Sequence, residues 1–402
     1  MARYTRAETA GRAGLDAAYM DRLIELGLLT PDADDRLTRY DVRKAQVLHT
    51  LEGAGVRPEG VAEGLRAAQL SLEFLESPVY ERFATLGDET FRQVSERTGL
   101  PLELLLLVRE AAGGAVPAPD DRMREDEALV VPYIENQLAV GYAPRSVERA
   151  LRVLGDSLRR AAETESDAWR TDIMEPYLSR PGGVAELTSL SSQEATLQQD
   201  VATDAALLAL WHAQQAQAWT ANIISGFESV LSAMGQLPAV ARPPAICFLD
   251  ITGYTRLTYE RGDEAAADLA AGLNRLVTRS ALEHAGRPVK WLGDGVMVYF
   301  RDPGQGVVSA LDMVDGVAGV GLPSAHVGLH AGPVLFQEGD YFGRTVNMAS
   351  RIAEYARPGE VLVTQAIVEE ASETTGVSFR EIGPVELKGI GGAVHLHAAS
   401  RG

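Results

Sequence analysis

Residues 290–300 read KWLGDGVMVYF. The flanks VKWL and VMVYF are rich in branched and aromatic side chains. An Asp-Gly step parts them, which favours two strands joined by a tight turn with φ above zero. Two readings of Asp294 stand side by side: a solvated carboxylate at a plain hairpin tip, or a carboxylate presented for chemistry. Lys290 is harder to give to the surface. Only Lys44, Lys290 and Lys388 are lysines among the 37 Lys and Arg residues. A chain that otherwise uses arginine, yet keeps a lysine beside an apolar strand, wants a compact point donor there.

Around this hairpin strands and helices alternate. AICFLDI (245–251), a helix near 262–285, the hairpin, and a helix near 304–318 come first. HVGLHAGPVLF (326–336), a helix near 345–357, EVLVT (360–364), a further helix and a C-terminal hairpin follow. The pattern implies an α/β sandwich with helices over a mixed sheet. Upstream, LPAVARPP (237–244) holds Pro238, Pro243 and Pro244, which cannot continue a helix and mark a domain boundary. Residues 67–236 read as helical almost throughout, with apolar residues at three and four spacing in 146–163 and 206–231. The last of these helices, roughly 190–235, has a broad apolar face that suits a bundle core or a second copy of the chain.

The formal net charge is −19. Residues 67–238 carry 13 Arg and no Lys against 26 acids. This argues against a non-specific nucleic-acid binder or a polybasic membrane surface. Cys247 is the one cysteine, so the chain has neither an intrachain disulfide nor a cysteine zinc site. The start MARYTRAETAGRAG has no apolar core of a signal peptide, and LELLLLV (102–108) is too short to span a bilayer. A soluble, cytoplasmic protein is expected.

Residues 1–66 suggest short helices with turns and a short β-wing or loop. Tyr4, Ala10, Ala13-Gly14, Gly27-Leu28-Leu29, Arg39-Tyr40 and Asp41-Val42 resemble the winged helix-turn-helix of MerR-type regulators. The segment Asp16-Ala17-Ala18-Tyr19-Met20 departs from it, lacking the basic and amide side chains that meet phosphates and bases. With ten basic and eleven acidic residues in 1–66, DNA is not the expected partner.

Three ordered motifs carry the polar residues. AICFL ends in Asp250, where a carboxylate is a candidate oxygen ligand or a plain helix cap. KWLGD brings Lys290 and Asp294. DYFGRTVNMASR brings Asp340 in a loop, then Asn347 and Arg351, four apart and so on one helix face. In this order FLDITGYT, KWLGD and DYFGRTVNMASR resemble the class III nucleotidyl cyclase domain over about 244–398. The helical stretches GLPLELLLLVREAAG, SVERALRVLGDSLRRAAE and IMEPYLSRPGG look like the regulatory domain of soluble actinobacterial adenylate cyclases.

The resemblance implies an α+β chain, with an all-helical N-terminal regulatory half and a C-terminal cyclase sandwich on a ferredoxin-like core. The expected domains are 1–70 (MerR-like), 71–236 (helical regulatory), 237–244 (linker) and 245–402 (catalytic). It also implies the roles. Asp250 and Asp294 match the ligands of two Mg²⁺ or Mn²⁺ ions, one lowering the pKa of the ribose 3′-hydroxyl and the other steadying the triphosphate. Lys290 and Asp340 match the pair that reads adenine, where guanylate cyclases typically carry Glu and Cys. Asn347 and Arg351 match the transition-state pair. Lys388, in VELKGIGG, falls where the family often has a basic residue near the phosphates. The two aspartates and the other four residues come from different subunits in the family, so a homodimer is expected.

The implied activity is conversion of ATP to 3′,5′-cyclic AMP and pyrophosphate, regulated by the helical half. Small-molecule, lipid and pH inputs all stand open. His212, on the last helix, is either a pH sensor or an ordinary helix histidine. His326 and His330 read as core or surface histidines. The competing class is a nucleotide-sensing transcription regulator with a non-catalytic cyclase-like domain. An intact set of six polar residues opposes it.

Overall fold

The computed structural model describes residues 3–76, 85–180, 182–184, 186–187, 194–236 and 243–402. The chain forms two compact units, Met1–Ile223 and Ile224–Gly402. Of the Pro-rich stretch 237–244, residues 237–242 lie outside the described residues.

In the first unit Thr5 caps the helix Arg6–Ala13 and Thr38 caps Arg39–Gly53. Each forms a reciprocal box with the acid three residues on, Glu8 and Asp41, which satisfies backbone donors that a helix start leaves open. With Ala17–Glu25 and Pro58–Arg66 these helices close over Met20, Leu23, Leu29, Leu37, Val42 and Leu48. A short wing pairs Arg3–Tyr4 with Leu37–Thr38. A second core gathers Phe91, Leu105, Val108, Ile134 and Leu151 from the helices Phe91–Thr98, Leu102–Ala111, Val131–Ala139 and Pro144–Trp169. The all-helical expectation needs one addition, a ladder between Leu86–Thr90 and Arg122–Arg124. Its strands are short and polar, and its partners lie far apart in the chain, so periodicity does not show it. The helix Glu194–Ala233 has 40 residues, about 60 Å of axis.

The second unit runs β1 (Ala245–Ile251), α1 (Tyr254–Arg261), α2 (Asp263–Glu283), β2 (Gly286–Leu292), β3 (Gly295–Phe300), α3 (Pro303–Gly316) and β4 (Ala325–Ala331). It continues with β5 (Leu335–Gln337), β6 (Asp340–Phe342), α4 (Arg344–Tyr355), β7 (Val361–Thr364), α5 (Gln365–Glu370), β8 (Val377–Glu386) and β9 (Ala393–Arg401). The main sheet has the order β8-β9-β7-β4-β1-β3-β2, with β5 and β6 as a separate hairpin. Only β4 and β7 pair in parallel; the other neighbours are antiparallel. The order β4-β1-β3-β2 is that of a ferredoxin-like βαββαβ unit.

Strand alternation divides β1 between the two faces of the sheet. Cys247 and Leu249 join Leu273 and Val277 of α2 and Val307 and Met313 of α3 in the main core. Ile246 packs on the other face with Met297, Tyr341, and Val346 and Ala349 of α4. By the same period Asp250 falls on the α4 face. Helix α4 lies so close to β4 that a Cβ on Gly328 would be 2.2 Å from the Ala353 nitrogen, so this strand position has no room for a side chain.

The hairpin turns one residue earlier than its Asp-Gly step suggests. Leu292 pairs with Gly295, which makes Gly293 and Asp294 the turn residues, and the positive φ (69°) belongs to Gly293. Glycine at the first central position suits the mirror-image turns that match strand twist. Gly295 is tight on the sheet: a Cβ there would lie 3.1 Å from both the Leu249 carbonyl oxygen and Asp250 Oδ1.

Candidate active site

Asp250 is next to last in β1, flanked across the sheet by Gly295 on β3 and His326 on β4. Asp294 sits half-buried in the turn just before Gly295. Burial pushes the Asp250 carboxyl above the ordinary aspartate value. The charge of Asp294 pushes the same way, and His326 opposes it. Two hard oxygen donors that repel each other, with no side chain on Gly295 to block one of them, fit a divalent cation. Among the described residues no three His, Cys, Asp or Glu side chains are grouped to hold a metal. A cation here would complete its shell from phosphate and water, as Mg²⁺ commonly does.

Lys290 Nζ lies 2.5 Å from Asp340 Oδ2 and joins edge strand β2 to β6. A register shift between Pro288 and Lys290 interrupts the ladder there. Proline is tolerated on such an edge because it has no N–H to give. The Tyr341 backbone N–H donates to Asp340 Oδ1 at 2.7 Å, and the Lys290 ammonium lies 5.8 Å from the Phe342 ring centre.

Asn347 is exposed on α4, and Arg351 follows one turn later. Arg351 Nη1 donates to both carboxylate oxygens of Glu354 at 2.6 Å. Lys388 is exposed in the loop between β8 and β9. That loop lies beyond Thr364 of β7, whereas Asp250 pairs with His326 at the start of β4. The structure therefore places Lys388 and Asp250 toward opposite ends of the sheet. It brings Asp250 to Asp294 and Lys290 to Asp340.

The roles of two residues, His326 and Glu354, escaped the sequence reading, while His330 is a core histidine, one of the two readings open to it. His326 Nε2 is 3.5 Å from Asp250 Oδ2, and its Nδ1 is 3.2 Å from Thr252 Oγ1. Only the β1–β4 register puts this histidine opposite Asp250, and spacing along one strand cannot supply a register. Glu354 was legible in principle, as an acid three residues after Arg351 on a helix. His330 is structural: its Nδ1 is 2.9 Å from Thr364 Oγ1, and burial lowers its pKa. His212 is exposed on Glu194–Ala233.

In the first unit Arg6 pairs with Asp21 and Asp35, Arg22 with Glu52 and Glu59, and Arg12 and Arg39 with Glu125. Among the described helices none is long and apolar enough to cross a membrane.

Two family models match the chain. One, described as an adenylate cyclase regulatory domain, covers residues 61–213. The other, described as an adenylate and guanylate cyclase catalytic domain, covers 242–398. Neither covers the first 60 residues, and the comparisons give no support to the MerR-like reading. The chain is 31% identical to the "pH-sensitive adenylate cyclase MT1302" of Mycobacterium tuberculosis over 321 residues, 77% of this chain and 78% of that protein. It is 27% identical to an adenylate cyclase of Streptomyces coelicolor over 284 residues, 70% of this chain and 71% of that one. A solved structure, the adenylyl cyclase CyaB from P. aeruginosa, is 23% identical with a TM-score of 0.37, covering 40% of this chain and 95% of its own. The chain belongs to the class III adenylate cyclase family, with a regulatory domain ahead of its catalytic domain.

Proposed function

We propose that the protein converts ATP to 3′,5′-cyclic AMP and pyrophosphate at sites shared by two copies of the chain. The observation that carries the choice of ATP is the Lys290–Asp340 pair. Adenine offers a ring-nitrogen acceptor and an amino donor, which an ammonium and a carboxylate complement. Guanine presents the opposite polarity and leaves both groups mismatched.

Asp250 and Asp294 are read as the ligands of two Mg²⁺ or Mn²⁺ ions. When bound, these ions supply a lowered pKa for the ribose 3′-hydroxyl and countercharge for the triphosphate. The chain's other residues bind and orient. Asn347 steadies the ribose. Arg351 exchanges Glu354 for phosphate oxygens and offers its planar fork to the charge that builds there. Lys388 is read as a phosphate contact from the partner copy.

The proposed domain plan is 1–70, 71–236, linker 237–244 and 245–402. The helical half regulates by moving two catalytic halves against each other, because a split site is sensitive to small rotations. A small molecule, a lipid or protonation of His212 is the input. The first 70 residues serve that half rather than DNA, since their arginines are largely engaged with carboxylates. The protein acts in the cytoplasm.

The test is cyclic nucleotide formation by the full chain from Mn-ATP and Mn-GTP. Cyclic AMP is expected to dominate. Asp250→Ala and Arg351→Ala should each lower kcat by about 10²–10³-fold. Mixing the two under exchange conditions should restore activity through one intact hybrid site. No cyclic AMP from a folded dimer would overturn the activity, and no recovery on mixing would overturn the shared site.

A further inference from the structure

Asp250 stands between two unlike neighbours. On β3 the residue across from it is Gly295, and a Cβ there would press on Asp250 Oδ1 at 3.1 Å. On β4 the residue across from it is His326, whose Nε2 lies 3.5 Å from Asp250 Oδ2. One side of the carboxylate is left open and the other is met by an imidazole. The ring is itself held: Nδ1 is 3.2 Å from Thr252 Oγ1, and only 14% of the His326 side chain is exposed. Thr252 follows β1 directly, and its backbone N–H donates to the Ser324 carbonyl at 3.0 Å, which ties this turn to the segment before β4.

From these contacts we infer that His326 is a positioning residue that orients the Asp250 carboxylate toward the cation through a Thr252–His326–Asp250 relay of contacts. The inference rests on reading Asp250 as a metal ligand. If the threonine hydroxyl donates to Nδ1, the ring keeps its proton on Nε2, directed at Asp250 Oδ2. At 3.5 Å the last contact is longer than a hydrogen bond and is a polar contact across the strand pair. It restrains the carboxylate rotamer and offsets the repulsion from Asp294 without taking the oxygen from the metal. Oδ1, beside Gly295, is the oxygen left to ligate. Outer contacts of this kind commonly set metal affinity because a carboxylate that is already aimed loses less freedom on binding.

The test separates the donor from the bulk of the ring. Glutamine places an amide nitrogen near Nε2, asparagine places one near Nδ1, and alanine provides neither. Mn²⁺ affinity of the full chain is read by the electron paramagnetic resonance signal of free Mn²⁺ in the presence of 3′-deoxy-ATP, which cannot cyclise. His326→Gln should stay within about two-fold of wild type. His326→Asn and His326→Ala should weaken Mn²⁺ about 10-fold, with Thr252→Val weaker in the same direction. In turnover, the Mn²⁺ concentration for half-maximal rate should rise while the KM for ATP at saturating Mn²⁺ holds.

Asp250→Asn distinguishes the two layers of the claim. If it binds Mn²⁺ as wild type does, the metal reading fails and this inference falls with it. If it loses Mn²⁺ while His326→Asn and His326→Ala keep wild-type affinity, the inference alone fails. Equal weakening in the glutamine and alanine variants would also overturn it, since ring packing rather than the Nε2 donor would then be responsible.

Discussion

The two units of the chain treat their inward-facing carboxylates in opposite ways. In the first, Glu127 is fully buried and saturated. It accepts from Arg109 Nε at 2.7 Å, from Arg109 Nη2 at 2.9 Å and from the Arg124 backbone N–H at 2.7 Å. Arg109 spends its remaining reach on the Arg122 carbonyl at 2.7 Å and stands over the Phe91 ring. In the second unit Asp250 and Asp294 repel one another, and Asp250 is met by the Ile251 backbone N–H and by His326 but by no Arg or Lys among the described residues. A buried charge with every partner in place belongs to the fold; carboxylates set together and left short of countercharge are poised for a ligand.

The strongest way to break this contrast is at Glu127. Glu127→Ala leaves the Arg109 guanidinium buried against Phe91 without its partner. Losing one member of a buried pair costs about 3–5 kcal/mol. The transition of the first unit in urea, followed by far-ultraviolet circular dichroism, should move down by that amount. A loss below about 1 kcal/mol would mean that the pair is no keystone and that saturation does not separate the units.

Next in size is the pair proposed to read the base, which is saturated in a third way, by its own members. Lys290 and Asp340 neutralise each other, and on the proposed reading an adenine would take the place of each as the other's partner. Lys290→Glu with Asp340→Cys should shift the ratio of kcat/KM for ATP and GTP by roughly 10²-fold toward GTP, about 2.7 kcal/mol. Lys290→Glu alone should be poorer with both nucleotides, since it sets a carboxylate beside Asp340. An unchanged ratio in the double variant would remove these residues from base selection.

Residue chemistry that depends on local spacing was legible in the sequence. Asp250 lies at the end of a strand, Asn347 and Arg351 lie one turn apart on a helix, and the ferredoxin-like core came only as what the resemblance to cyclase domains implies. What depended on register was not. Nothing within HVGLH says that His326 meets Asp250 and His330 meets Thr364. Asp294-Gly295 and Gly293-Asp294 are both good turn pairs, and the pairing of Leu292 with Gly295 across the ladder settles on the second. The helix expected near 262–285 is α2, whereas the short α1 before it, set off at Gly262 with φ 84°, was not anticipated.

The smallest effect belongs to Asp250 without metal. Its pKa is raised in the fold, so the folded chain holds this proton more tightly than the unfolded chain. The stability it contributes is fully present below the ordinary aspartate value, near 4, and is lost as pH rises through the raised folded value. At pH 7.5 the metal-free wild type therefore carries an uncompensated charge, which Asp250→Asn removes. The carboxylate is 47% exposed, so water screens much of that cost and the gain stays below about 1 kcal/mol. In differential scanning calorimetry the transition of the second unit should be slightly higher for the variant at pH 7.5. The gap should close below pH 4. Mn²⁺ with 3′-deoxy-ATP should raise the wild-type transition and leave that of the variant in place. A variant that melts lower than wild type at pH 7.5 would mean that Asp250 is as well satisfied as Glu127, and the difference between the two units would disappear.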